Sequence, residues 1–184
     1  MISLHLQDTK GMTLVEVAVV LGLGVLLLTS LYTFINAQSA RWEAQRILSL
    51  TERRLRVAVD IISKDLRMLG YKSTTTPITA AEESRLIFES DLDLDGTAES
   101  ITYDLNSTNN RLLRNSLNLL DDVESLSFTY YGKDNAALTP MPLDADNRTK
   151  VKRIEVSVAV KKTLPNNKTK TLSITTGARM RNMQ

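Results

Sequence analysis

Between Val17 and Ile35 the chain has nineteen consecutive residues without a charged side chain. At ~1.5 Å of rise per residue, that run in a helix covers about 28 Å, close to the hydrocarbon thickness of a bilayer. A helix satisfies its own backbone hydrogen bonds, so a lone segment of this length can cross lipid in no other regular form. This run therefore dictates one membrane-length helix near the N-terminus. An acid, Glu16, stands just before it, and a polar, arginine-bearing continuation follows as far as Met68-Leu69-Gly70-Tyr71. A chain of 184 residues has room for that helix and one domain of ordinary size.

Composition removes several classes of function. The 23 basic and 21 acidic residues leave a net charge of +2, with no basic block of the kind that binds nucleic acid. Cysteine is absent, which excludes disulfides, thiolate metal sites and a cysteine nucleophile. His5 is the only histidine and lies near the N-terminus, so the part beyond the apolar run has no imidazole for acid–base work. The expectation is a non-enzymatic protein.

The first eleven residues mix Met1, Ile2, Leu4 and Leu6 with His5, Gln7, Asp8, Thr9 and Lys10. An ordinary secretory signal has a shorter apolar core and a small-residue cleavage site after it. Here the nearest such site, Ala37-Gln38-Ser39, lies beyond the membrane-length run in a helix-friendly context. A plain anchor explains the run but not Glu16, because a carboxylate costs about 2.5–3.5 kcal/mol at the bilayer centre and less near the interface. Either Glu16 snorkels at the boundary, or it belongs to the first turn of a helix that starts after cleavage. In that turn a negative charge suits the helix dipole and can meet a neighbouring subunit's new ammonium.

The residues Gly11-Met12-Thr13-Leu14-Val15-Glu16, with the uncharged run behind them, resemble the processing site of type IV prepilins. The resemblance implies a leader over residues 1–11, cleavage after Gly11 by a prepilin peptidase, methylation of Met12, and an assembly role for Glu16 as fifth residue of the mature chain. Two departures stand out: methionine at position 12, where phenylalanine is usual, and a leader whose only permanent cation is Lys10. Charge counting also opposes the implied orientation, since Arg41, Arg46, Arg53 and Arg54 follow the span and positive flanks normally stay cytoplasmic. Those arginines are interspersed with Glu43 and Glu52 on a continuing helix, and the motif is preferred. A second stretch, Asp65-Leu66-Arg67-Met68-Leu69-Gly70-Tyr71, is similar to the end of the long helix in PilW-like minor pilins.

The expected organisation is a leader at 1–11, a long helix over 12–71 with its transmembrane part at about 17–35, and a head over 72–184. Beyond the membrane, Trp42, Leu48, Leu55, Val59, Ile62, Leu66 and Leu69 recur at helical spacing and make one apolar stripe. Glu52 and Arg56 form a favourable i,i+4 pair on the opposite side. Gly70 is the stop signal. Strand-like segments follow at 85–89, 100–105, 111–114, 123–131, 151–161 and 169–176, with 72–84 and 132–150 read as loops. The fold class is therefore α+β: a long N-terminal helix, half transmembrane and half amphipathic, packed on a mainly antiparallel sheet. The resemblance implies the type IV pilin fold.

One constellation suggests site chemistry. Asp91-Leu92-Asp93-Leu94-Asp95-Gly96 has aspartates at positions one, three and five and glycine at six, like the first half of a calcium-binding loop. Thr97 offers a carbonyl and Glu99 a carboxylate, but position twelve is Thr102 rather than the bidentate glutamate. The competing reading is an acidic Asp-Gly hairpin turn between strands 85–89 and 100–105. Calcium is the one cofactor the sequence raises.

The resemblance implies a minor pilin, a structural subunit acting in initiation of type IV pilus assembly or at the tip. Its partners would be other minor pilins and the major pilin through the N-terminal helix, the prepilin peptidase, and an assembly platform protein with its ATPase. The expected location is the inner membrane, single-pass, with the head in the periplasm, and then the pilus at the cell surface. The alternatives are a pseudopilin of a type II secretion system and a membrane-tethered calcium-binding or adhesive module.

Overall fold

The computed structural model describes residues 11–180 except Thr75 and Asn166. The expected leader therefore lies, Gly11 apart, outside the described residues. The first helix, α1, runs unbroken from Leu14 to Met68. No proline interrupts it, and the chain divides into two compact units, Met1–Ala44 and Gln45–Gln184, with α1 contributing to both.

In the first unit α1 carries the uncharged run. It contains an 18-residue window of mean hydropathy 2.4, none of it buried, and is long and apolar enough to cross a membrane. The run's two threonine hydroxyls are satisfied by its own backbone: Thr29 Oγ1 donates to the Val25 carbonyl at 2.8 Å and Thr33 Oγ1 to the Ser30 carbonyl at 2.8 Å. Such bonds lower the cost of taking a hydroxyl into lipid, where water is not available.

The second unit is the head. Its first sheet is an antiparallel meander in sequence order, β1 Ile78–Ala81, β2 Arg85–Ser90, β3 Glu99–Asn106, β4 Arg111–Arg114 and β5 Leu117–Leu120. The links are local. Asn106 Oδ1 accepts the Thr108 and Asn109 amides in the β3–β4 turn. Asn115 and Ser116, with φ of 50° and 66°, make the two-residue turn between β4 and β5, whose twist matches that of paired strands. A second antiparallel sheet orders β6 Val123–Tyr131, β7 Arg153–Thr163 and β8 Thr169–Arg179. The β6–β7 connection holds a short helix, α2 Ala145–Lys150, capped by Asp144 Oδ1 accepting the Asn147 amide at 2.8 Å.

The α1 stripe is the cover, as the spacing predicts. Leu55, Ile62, Leu66 and Leu69 are fully buried and Val59 nearly so. They join Leu86, Phe88 and Tyr103 of the first sheet and Phe128, Tyr130, Ile154, Val156 and Val158 of the second in one core. Leu126, Phe128 and Tyr130 of β6 and Ile154, Val156, Val158 and Val160 of β7 are buried at every second position, and a bulge between Val123 and Ser125 interrupts the alternation at the start of β6. Several details differ from expectation. There are two sheets rather than one, β1 and β5 lie where no strand was read, and 132–150 is not a bare loop, because Leu143 and Val151 on either side of α2 are buried. Trp42, the first residue of the stripe, is 71% exposed, since it precedes the compact head unit that begins at Gln45.

The helix ends two residues before Gly70. Gly70 adopts φ 79°, a left-handed conformation that suits glycine at a helix C-terminus. The turn is bonded to the end of β2: the Gly70 amide donates to the Glu89 carbonyl at 2.9 Å, Ser90 Oγ to the Met68 carbonyl at 2.7 Å, and the Asp91 amide to the Tyr71 carbonyl at 3.0 Å. These bonds bring Tyr71 and Lys72 beside the β2–β3 loop.

Candidate functional site

Two regions collect the residues singled out from the sequence, one in each unit. At the start of α1, Gly11, Met12 and Glu16 are all exposed, and nothing lies within 4 Å of where a Cβ on Gly11 would stand. Glu16 is on the first turn, and its bonds explain the neighbouring residue. The Thr13 amide and Thr13 Oγ1 donate to Glu16 Oε2 at 3.2 and 3.3 Å, while the Glu16 amide donates to Thr13 Oγ1 at 3.3 Å. Thr13 is thus the N-cap of α1, and Thr13 with Glu16 forms a reciprocal capping box that occupies amides no helical carbonyl can reach. The carboxylate fixes where the helix begins and stays open to a partner charge. The role of Thr13 was legible in the Thr-x-x-Glu spacing.

The second region is the loop between β2 and β3. Ser90 pairs with Glu99 at the end of the two strands, so the segment 91–98 is a hairpin connection, as the turn reading requires. The same hairpin gathers Asp91, Asp93, Asp95 and Glu99, with one carboxylate oxygen from each lying within 4.8 Å of the others. Asp93 Oδ1 accepts the Asp95 amide at 3.2 Å and Asp95 Oδ1 the Thr97 amide at 2.8 Å, two successive side-chain turns that curl the chain. Glu99 Oε2 accepts the Leu92 amide across the loop's mouth at 3.4 Å. Gly96, at φ 103°, reverses the chain in a conformation that a side chain would strain.

Asp91 is the buried member, with no exposed surface. Its Oδ2 accepts the Gly96 amide at 3.1 Å and Lys72 Nζ at 3.2 Å, while Oδ1 has no hydrogen-bond partner among the described residues. Burial pushes the Asp91 carboxyl up, but the Lys72 ammonium and the Gly96 amide outweigh it and hold the group below its ordinary range. Lys72 is held above its ordinary value, chiefly by its hydrogen bond to Asp91. Lys72, whose ammonium also lies 5.6 Å from the Tyr71 ring centre, has no signal in the sequence, because only the bonded helix terminus brings it to the loop. The Thr97 side of the expected ligand set contributes its amide to Asp95.

Asp65, in the last turn of α1, is occupied in the head's interior. Its Oδ2 accepts the Tyr103 hydroxyl at 2.6 Å and Arg114 Nε at 2.8 Å, tying α1 to β3 and β4. Burial and then the Asp65 carboxylate raise the Tyr103 hydroxyl far above its usual value of 10.

Compared with models of known protein families and with curated proteins, the chain matches none.

Proposed function

We propose that the chain is a minor pilin, a structural and non-catalytic subunit cleaved between Gly11 and Met12 and drawn into a pilus-like fibre through the exposed half of α1. The observation that carries the reading is the juxtaposition at the start of that helix. A carboxylate on the first turn is directly followed by a membrane-length run, all of it unburied. A neighbouring copy's N-terminal ammonium would neutralise Glu16 as the apolar runs pack on one another, so both the charge and the bare apolar surface are satisfied by assembly. The rest of α1 is anchored in the head, which the fibre would display. Before assembly the subunit would sit in the inner membrane with its head in the periplasm, where the prepilin peptidase, platform protein and other pilins meet it.

The test is the N-terminal residue of the protein purified from cells. N-methylated Met12 is expected, and an intact Met1 on an accumulated functional form would overturn the proposal. Counting pili and secreted enzymes in a deletion strain separates the type IV pilus from a type II secretion pseudopilin. Loss of pili with secretion intact is the expected result.

A further inference from the structure

We propose that the β2–β3 hairpin loop binds one divalent cation of the calcium type, held by Asp91, Asp93, Asp95 and Glu99 and weakened by Lys72. The proposal is independent of the reading as a pilin. Two oxygens on the same calcium can be no further apart than twice the metal–oxygen bond, about 4.6–5.2 Å for bonds of 2.3–2.6 Å. The four carboxylates already meet that condition, within 4.8 Å of one another.

The independent sign of a ligand is Asp91. A fully buried carboxylate oxygen without a partner is costly, and its sister oxygen is already committed to Lys72 and Gly96. A cation held among the four carboxylates would give Asp91 the further partner that its second oxygen lacks among the described residues. Four carboxylates against one ammonium leave the loop with a formal charge of −3, which a divalent ion reduces to −1. The donors are hard oxygens on a curled, largely exposed loop, which suits calcium's flexible, high-coordination shell better than magnesium's small octahedron. Lys72 cannot ligate. It shares Asp91 with the ion, so it repels the metal and keeps the site weak, in the class of extracellular calcium modules with Kd of roughly 10⁻⁴–10⁻³ M.

Isothermal titration of CaCl2 into the full chain in detergent micelles, after chelator treatment, tests this. Saturable one-to-one binding is expected. Asp93→Asn and Glu99→Gln should each weaken it by about tenfold or more, while Lys72→Met should tighten it by a similar factor. Asp91→Asn should abolish it, and because that residue is buried the loop variants provide the reading if it fails to fold. The opposite sign expected for Lys72 separates electrostatic competition from a purely structural role. No saturable heat up to roughly 10 mM CaCl2, an equal response to MgCl2, or binding unchanged in Asp93→Asn and Glu99→Gln would each overturn the proposal.

Discussion

Glu16 has two separable properties, a capping hydrogen bond and a charge. Glutamine retains the capping box, whereas alanine loses its carboxylate half and keeps only the residue-16 amide on Thr13 Oγ1. If the charge drives assembly, Glu16→Gln should fail to enter fibres as completely as Glu16→Ala while keeping its helix content by circular dichroism. Normal incorporation of the glutamine variant would leave the cap as the residue's whole function. Asp65 poses a different question, since its carboxylate is spent inside the head. Asp65→Ala strands the buried Tyr103 hydroxyl and should cost about 2–4 kcal/mol in urea unfolding, more than Tyr103→Phe, which leaves Arg114 on Asp65. Because folding raises the Tyr103 pKa, the phenol's contribution is whole below pH 10. It is lost as pH rises above 10, where the unfolded chain releases its proton first and the native state cannot. Tyr103→Phe should therefore flatten the alkaline limb of the stability profile.

At the scale of elements, period was the strongest signal. The stripe Leu55–Leu69 and the strands β6 and β7 could be read because each repeats its apolar residues often enough to define a face. β1, Ile-Thr-Ala-Ala, and β5, Leu-Asn-Leu-Leu, are four residues each and exist through pairing with their neighbours, which no local pattern records. Alternation also states which face of a strand is apolar but not which sheet the strand joins, so one sheet was expected where two occur. α2, Ala-Asp-Asn-Arg-Thr-Lys, has no apolar face of its own, and it sits between the buried Leu143 and Val151 behind its Asp144 cap. The stripe makes a sharp comparison. Ile62→Ala, at a site with no exposed surface, should cost about 2–5 kcal/mol in urea denaturation of the head. Trp42→Ala, at 71% exposure, should leave that unfolding within about 0.5 kcal/mol of the parent. If Trp42 is spent on neighbouring subunits, the same variant should instead lower fibre yield.

For the whole molecule, the boundary between units falls at Ala44/Gln45, inside a helix that no sequence signal divides. The run of residues 17–35 identified the part suited to lipid, and the stripe identified the part suited to a sheet. The point where one role passes to the other depends on where the head's packing stops, which is a tertiary fact. The division carries a prediction for the chain cut at Gln45. The remaining fragment keeps every fully buried side chain of the core, from Leu55 onward, together with both sheets and the Asp65–Tyr103–Arg114 contacts. It also sheds the unburied window of hydropathy 2.4. Fragment 45–184 should therefore be a monomer in detergent-free buffer and unfold in a single cooperative transition. Fragment 11–44, whose helix has no packing partner among the described residues of its own unit, should be recovered with phospholipid vesicles after flotation and show helical circular dichroism only there. A head fragment that aggregates without detergent would mean that core stability depends on residues before Gln45. A short fragment that stays in the aqueous layer would remove the membrane from the account of α1.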